Sequence, residues 1–398
     1  MKFNLFPYIK AFAWLSLAAA FVIGHVSNQV DYDELLQQAF ADSHLQKSVT
    51  DNGDLFLYDV KSTDLKTVTE DERKWIVVGT AQGYGGPLVV ATSLRETASG
   101  VITQDVRLLA HKETPPYVER LVKKQFFRQL NDRSVSDDFL LGQGVDAYSG
   151  ATVTARAVSQ AMRSSVHVMA TDKLGLAPTW TDDPWGFGWQ ELGMLLLVAI
   201  TLVISLKSKH KFINSLKVIL PIAALIFVGF YTNASLSVGS FAGLFLGYFP
   251  GLKQHPIWWI LMGTIVIGIV LMGRNLYCNK LCPYAAVQSL LHRITGINMK
   301  VPKWLIKHGR SFILLMIWTA FMLIFLSGHP ALGSYEPFSM MFALEGVGLQ
   351  WYILPLSLFG ACFIPDFWCR YFCPVGLIIN ESVKLRRKAL NRFKKQFS

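Results

Sequence analysis

Cys278-Asn-Lys-Leu-Cys282-Pro283 returns as Cys369-Arg-Tyr-Phe-Cys373-Pro374, 91 residues further on. Four of the five cysteines sit in these two copies. Working outward, residues 217–295 read as an apolar span, a loop, a second span, the cysteine motif and a basic segment; residues 311–388 read in the same order. The repeat predicts an internally duplicated helical membrane unit. Two copies in one orientation imply a pseudo-two-fold axis along the membrane normal, which brings the two cysteine pairs together. Positions i and i+4 of a helix share a face, so each motif offers two thiols to one side. Proline after the second cysteine suits the first turn of a new helix.

The rest of the chain fits a membrane protein. Of 398 residues, 52% are hydrophobic and 16% charged, more apolar than ordinary soluble proteins. Stretches long enough to cross roughly 30 Å of hydrocarbon fall at about 11–28, 190–206, 217–232, 256–273, 311–328 and 351–367. Six spans are expected. Lys2 and Lys10 beside a short apolar run are compatible with a signal peptide, but no small-x-small site precedes Ser27-Asn28, which favours an uncleaved anchor over residues 1–28.

Charge sets the orientation. Residues 29–184 hold 22 acidic and 16 basic side chains, while the remainder holds 5 acidic and 22 basic. The basic excess lies at Lys207 to Lys211, Arg274 to Arg310 and Lys384 to Lys395. By the positive-inside rule those segments are cytoplasmic, both termini lie inside and 29–184 lies outside. Trp180, Trp185 and Trp189 suit an interfacial belt where the chain re-enters the bilayer. Topology therefore accounts for the basicity, and no nucleic-acid partner is expected. The expected architecture is an anchor (1–28), an extracytoplasmic α+β domain (29–184) and an all-α polytopic membrane domain (185–398), in the cytoplasmic membrane of a bacterium.

Both cysteine motifs follow an outside-to-inside span and so face the cytoplasm, where disulfides are disfavoured. Four thiolates around one centre suit an iron–sulfur cluster or zinc, and redox-active thiols are a third reading. Cys362 lies inside the sixth span and reads as a small buried hydrophobe.

In the outer domain, Leu55–Val60, Trp75–Thr80, Pro87–Ser93 and Val101–Ala110 read as strands, and Pro115 to Leu130 and Val153 to Ala170 as helices. Ahead of the second helix stands Asp146-Ala-Tyr-Ser-Gly-Ala-Thr152. Gly150 and Ala151 permit a tight turn, and Ser149 and Thr152 place hydroxyls at the helix start. Free N–H groups and the helix dipole favour a phosphate there; an ordinary N-cap is the alternative. Gly83-Tyr84-Gly85-Gly86 and His111-Lys-Glu113-Thr114-Pro115 lie upstream, compatible on their own with a hairpin turn and a surface histidine.

Taken in this order, Asp-x-x-Ser-Gly-Ala-Thr with the two upstream segments resembles the FMN-binding domain of the Rnf and Nqr complexes and of the NosR/NirI family. The resemblance implies FMN bound through a phosphoester to Thr152, attached by a separate flavin transferase. It also implies cofactor-binding roles for Asp146, Ser149, Gly150, Ala151, Tyr84, Gly85, Gly86, His111, Glu113 and Thr114. Relatives usually carry Gly where this chain has Pro116. The cysteine motifs resemble the membrane iron–sulfur motifs of NosR/NirI and NapH-type proteins, implying a 4Fe–4S or 2Fe–2S cluster on Cys278, Cys282, Cys369 and Cys373. Many such relatives continue into a ferredoxin domain, whereas this chain stops 25 residues after Cys373.

The expected function is electron transfer between a cytoplasmic-side cluster and an outer covalent FMN, in support of an extracytoplasmic reductase. Its expected partners are membrane lipid, a cytoplasmic or quinol donor and an extracytoplasmic redox protein. The alternative is a redox-sensing regulatory or maturation factor. A transporter ranks third, since Glu191 and Asp366 fall at span ends. No hydrolytic constellation stands out, as expected where cofactors carry the chemistry.

Overall fold

The computed structural model describes residues 6–29, 31–40, 44–49, 56–61, 74–148, 151–181, 185, 187–206, 211–344 and 348–396. An N-terminal helix α1 (Phe6–Ser27) and a short α2 (Tyr32–Ala39) precede an antiparallel meander: β1 (His44–Val49), β2 (Phe56–Lys61), β3 (Lys74–Gln82), β4 (Pro87–Thr97) and β5 (Gly100–His111). The meander follows from short reversals between β-branched runs, such as the Gly83–Gly86 turn closed by Gly83 N–H donating to Gly86 C=O at 2.9 Å. Strands β2 to β5 match the sequence reading, and β1 adds one it did not contain.

Helices α3 (Pro115–Lys123) and α4 (Thr152–Asp172) cover the sheet. The expected helix from Pro115 to Leu130 is broken: Gln125 takes a left-handed conformation (φ 55°), and Phe126–Leu130 continue as a 3₁₀ turn. Val77, Leu88, Val90 and Leu94 pack against Leu121, Ala157, Val158 and Met162 in one buried core. Pro115 and Pro116 occupy the first positions of α3, where a missing N–H costs nothing. Trp180 does not join the interfacial belt; its ring stacks on His167 with centroids 3.9 Å apart. Trp185 and Trp189 remain exposed.

The helical unit opens with α5 (Trp189–Leu206) and then repeats itself. The first copy runs α6 (Lys211–Ala224) with a π-helical continuation to Tyr231, α7 (Val238–Phe245), α8 (Pro256–Ile267) with a π turn to Met272, a π turn Tyr277–Leu281, and α9 (Pro283–Thr295). The second runs α10 (Lys303–Ser327), α11 (Phe338–Ala343), α12 (Gln350–Phe363), α13 (Phe367–Tyr371) and α14 (Pro374–Gln396). Helices α1, α5 and α10 are long and apolar enough to cross a membrane, whereas Ser215–Tyr231, Pro256–Met272 and Gln350–Phe363 are shorter apolar helices. Asp366, at φ 55°, separates α12 from α13, so the last expected span is interrupted.

Arginines gather at one end of this bundle. Arg274 donates to Ser205 C=O at 2.7 Å, Arg386 to Val270 C=O at 2.7 Å, and Arg387 to Gly273 C=O at 3.1 Å. Each satisfies carbonyls left open at a helix C-terminus and lies where the helix dipole favours a cation.

Candidate functional site

Two sites emerge, one in each unit. In the α+β unit, Glu113 follows β5 and is completely buried. Its carboxylate accepts from Tyr84 N–H at 2.6 Å, Gly85 N–H at 2.8 Å and Thr114 N–H at 2.9 Å. The glycines permit this approach, since a Cβ on Gly83 would stand 1.9 Å from Glu113 Oε2. Burial pushes the Glu113 carboxyl up to about 7 in spite of those donors. The Gly83–Gly86 loop thus closes on the chain's own glutamate.

Thr154, one turn into α4 and 1% exposed, turns its hydroxyl toward that carboxylate. It has no hydrogen bond of normal geometry. Thr152, the first residue of α4, is only partly buried, and its hydroxyl donates to Tyr148 C=O at 3.1 Å. Its predecessor Ala151 caps the helix without a side-chain acceptor, so first-turn N–H groups lack the usual partner. This arrangement fits a phosphate joined at Thr152. Asp146 is exposed, its N–H donating to Gln129 Oε1 at 2.8 Å. Ser149 and Gly150 lie outside the described residues. His111 points elsewhere: its ring packs edge-on to His329 of the helical unit at 6.1 Å. Gly86 packs on Lys112, where a Cβ would come within 2.7 Å of the Lys112 carbonyl oxygen.

The flavin-motif loops rest on the helical unit. Tyr84 OH donates to Ser235 C=O at 3.1 Å, Asn233 Nδ2 to Tyr117 OH at 3.2 Å, Lys112 Nζ to Ser327 C=O at 3.0 Å, and Arg156 to Gln254 C=O at 3.0 Å. His255 Nε2 meets Gln82 C=O at 3.3 Å. Between the units lies a cavity of about 500 Å³ lined by Tyr84, Gly85 and Thr114 on one side and by α10, Ser235 and Glu336 on the other.

The second site is a cavity of about 460 Å³ into which Cys278, Cys282, Cys369 and Cys373 all project. The first copy places Cys278 on the π turn with Cys282 just after it; the second places Cys369 on α13 with Cys373 just after. Pro283 and Pro374 then start α9 and α14. The copies hold each other. Gln288 of α9 donates to Cys369 Sγ at 3.1 Å and accepts from Trp368 N–H at 2.8 Å, while Asn275 donates to Asn380 of α14 at 2.9 Å and accepts from Cys278 N–H at 3.0 Å. Gly376 N–H donates to Cys373 Sγ at 3.3 Å. Lys217, Lys280, Arg293 and Arg370 line the same cavity, as does Asp366.

All four thiols are free, and among the described residues no three His, Cys, Asp or Glu side chains stand close enough to grip a single ion. Four thiols lining one cavity are the donor set an iron–sulfur cluster takes. Cys362 lies on α12 and does not line it. Gln288, Asn275 and Asn380 were not foreseen, because a lone amide carries no sequence signal until the pairing of the copies is known.

Family models match the segments that hold both sites. An FMN-binding domain matches residues 83–167, and a 4Fe–4S binding domain matches residues 254–302 and 352–392. The regulatory protein NosR of Pseudomonas aeruginosa is 26% identical over 208 residues, 48% of this chain and 29% of that protein. NirI of Paracoccus denitrificans is 27% identical over 179 residues, 41% of this chain and 26% of that protein. NosR of Stutzerimonas stutzeri is 25% identical over 224 residues, 50% and 30% of the respective lengths. The matched segments thus span less than a third of each relative. No solved structure matches. The chain thus combines an FMN-binding domain with a 4Fe–4S binding domain and is similar to NosR and NirI over about half of its own length.

Proposed function

We propose that this protein carries electrons across the cytoplasmic membrane between an iron–sulfur centre on Cys278, Cys282, Cys369 and Cys373 and an FMN esterified to Thr152, serving an extracytoplasmic reductase. The observation that carries this reading is Phe338, which lines both the cysteine cavity and the cavity beneath the flavin-motif loops. One side chain borders both cavities. Around it Tyr284 packs on Phe338 at 5.2 Å between centroids, and Tyr335 on Trp368 at 6.0 Å.

Bound FMN and a cluster supply the one- and two-electron chemistry. The chain's residues hold and orient them: α4 offers uncapped N–H groups to the phosphate, the Glu113 clasp shapes the loop beside it, and Gln288 and Gly376 direct N–H groups at cluster thiolates. Covalent attachment through a transferase suits a cofactor that dilution would otherwise remove. The finer topology belongs to the same reading: six spans, both termini inside and residues 29–184 outside, supported by the arginine-capped end beside the cysteines.

Inside-out vesicles test it. A reductant confined to the cysteine side should reduce the flavin, and an acceptor confined to the other side should reoxidise it, at respiratory rates. Slow equilibration without sustained flux would sink the proposal. It would favour the second reading, a redox-sensing regulator, which the name regulatory protein NosR supports for the relatives.

A further inference from the structure

Between the π-helical end of α6 and the start of α7 the chain reverses over residues 232–237. Asn233 takes the left-handed conformation there, at φ 47°, which asparagine tolerates better than most residues. The turn is pinned along its length. Asn233 Nδ2 donates to Tyr117 OH at 3.2 Å, Ala234 N–H to Val228 C=O at 3.0 Å, and Val238 N–H to the Glu336 carboxylate at 2.5 Å.

Within this turn the peptide joining Ser235 to Leu236 is bonded to a tyrosine at each end. Its C=O accepts from Tyr84 OH, on the Gly83–Gly86 loop of the α+β unit, at 3.1 Å. Its N–H donates to the Tyr277 hydroxyl at 2.9 Å. Tyr277 is 1% exposed and is the residue before Cys278, so its side chain continues covalently into the cysteine motif. Both hydrogen bonds run in one direction, which lets each polarise the other. Tyr84 and Ser235 line the cavity between the units, and Leu236 and Tyr277 line the cysteine cavity; one peptide belongs to both walls. The second copy differs. Before Cys369 stands Trp368, 91 residues after Tyr277, and its indole N–H has no hydrogen-bond partner among the described residues. A buried tyrosine hydroxyl needs a partner whatever its role, but that need does not set two tyrosines on opposite ends of one peptide.

We infer that Tyr84, the Ser235–Leu236 peptide and Tyr277 form the route of electron transfer between the two sites. The inference rests on the electron-transfer reading and supplies the residues that join its ends. Tunnelling is attenuated less along bonded atoms and short hydrogen bonds than across van der Waals gaps, and this path has no such gap between Tyr84 and Cys278. One electron crosses at a time, lost at the cysteine-held centre and gained at the flavin, or the reverse. No bond of the chain is made or broken, and each hydroxyl and amide proton stays on its own atom.

Hydrogen exchange and pulse kinetics test the route. In the full-length protein as purified, Tyr277→Phe keeps the ring and should speed exchange of the Leu236 amide about fivefold or more, as loss of about one hydrogen bond does; unchanged exchange would overturn the inference. In protein holding both cofactors, an electron delivered by pulse radiolysis should redistribute between the flavin and cluster absorptions. Tyr277→Phe and Tyr84→Phe should each slow that redistribution several-fold at matched driving force, with flavin and iron content retained. Wild-type rates in both variants would overturn the route. So would slowing by Phe338→Leu with none by Tyr277→Phe, which would send the electron through the ring contacts instead. Should Tyr277→Phe fail to fold, Tyr84→Phe decides alone. No redistribution in the wild-type protein would defeat the electron-transfer reading and the route with it, whereas redistribution indifferent to both tyrosines defeats the route only.

Discussion

Gln288 and Cys369 belong to different copies of the repeat, yet the amide of the first lies 3.1 Å from the sulfur of the second. Donors to a thiolate stabilise the more negative, reduced form of a cluster. Gln288→Leu is expected to lower the midpoint potential of the iron–sulfur signal in a redox titration. It also strands the Trp368 N–H, a loss of about 1–3 kcal/mol for a buried group.

If the four cysteines that share one cavity ligate one centre as proposed, they should act as a unit. Cys278→Ser and Cys369→Ser should each remove or severely alter the same absorption and paramagnetic signal, and iron analysis should show far less than half of the metal retained. Half the iron surviving in each would mean two separate centres. Cys362→Ser, outside the cavity, should keep the signal.

The proposed flavin attachment at Thr152 is tested through hydroxyl access. Thr152 is partly exposed at the start of α4, whereas Thr154 is 1% exposed. Thr152→Val should abolish flavin fluorescence of the denatured protein in a gel, and Thr154→Val should leave it. Fluorescence retained by Thr152→Val would disprove the attachment point.

The Glu113 clasp should weaken with rising pH. Its folded value of about 7 lies above the ordinary 4.5, so the folded state holds the proton more tightly. The stability is present below about pH 4.5 and is lost as pH rises toward 7, at no more than about 1.4 kcal/mol per unit. Hydrogen-exchange protection factors of the Tyr84 and Gly85 amides should fall across that window, and Glu113→Gln should flatten the profile.

Orientation is checked with reporters. A cytoplasm-only reporter fused after Ser398 should be active, and one inserted within 29–184 inactive. An inactive C-terminal fusion would mean that the interrupted helix at Asp366, or the loop 329–350, does not turn as proposed.

Much of this was legible in the sequence because it rests on local spacing. The cysteine repeat gave the duplicated helical unit, proline after each motif marked the starts of α9 and α14, and β-branched runs marked β2 to β5. Strand β1, His-Leu-Gln-Lys-Ser-Val, lacks the apolar alternation that would announce it. The π turns and the left-handed Gln125 and Asp366 arise from packing, not propensity. Glu113 was read as cofactor-binding, and the bonds its carboxylate accepts from the Gly83–Gly86 loop were not foreseen, because that pairing joins residues 29 apart and has no sequence period. The interdomain cavity was invisible for the same reason, since it exists only once α10 meets Tyr84.

The reciprocal grip between the two copies also bears on biogenesis. Cys278 and Cys282 leave the ribosome 91 residues ahead of Cys369 and Cys373 respectively, roughly 5–20 s of synthesis at ordinary rates. During that interval the first pair has neither its opposing thiols nor the α14 amide that Asn275 engages. If the proposed four cysteines hold one cluster, it is expected to load only after α13 and α14 are made, which would turn maturation into a checkpoint at the end of translation. Nascent chains stalled before α13 are expected to be metal-free and open to proteolysis.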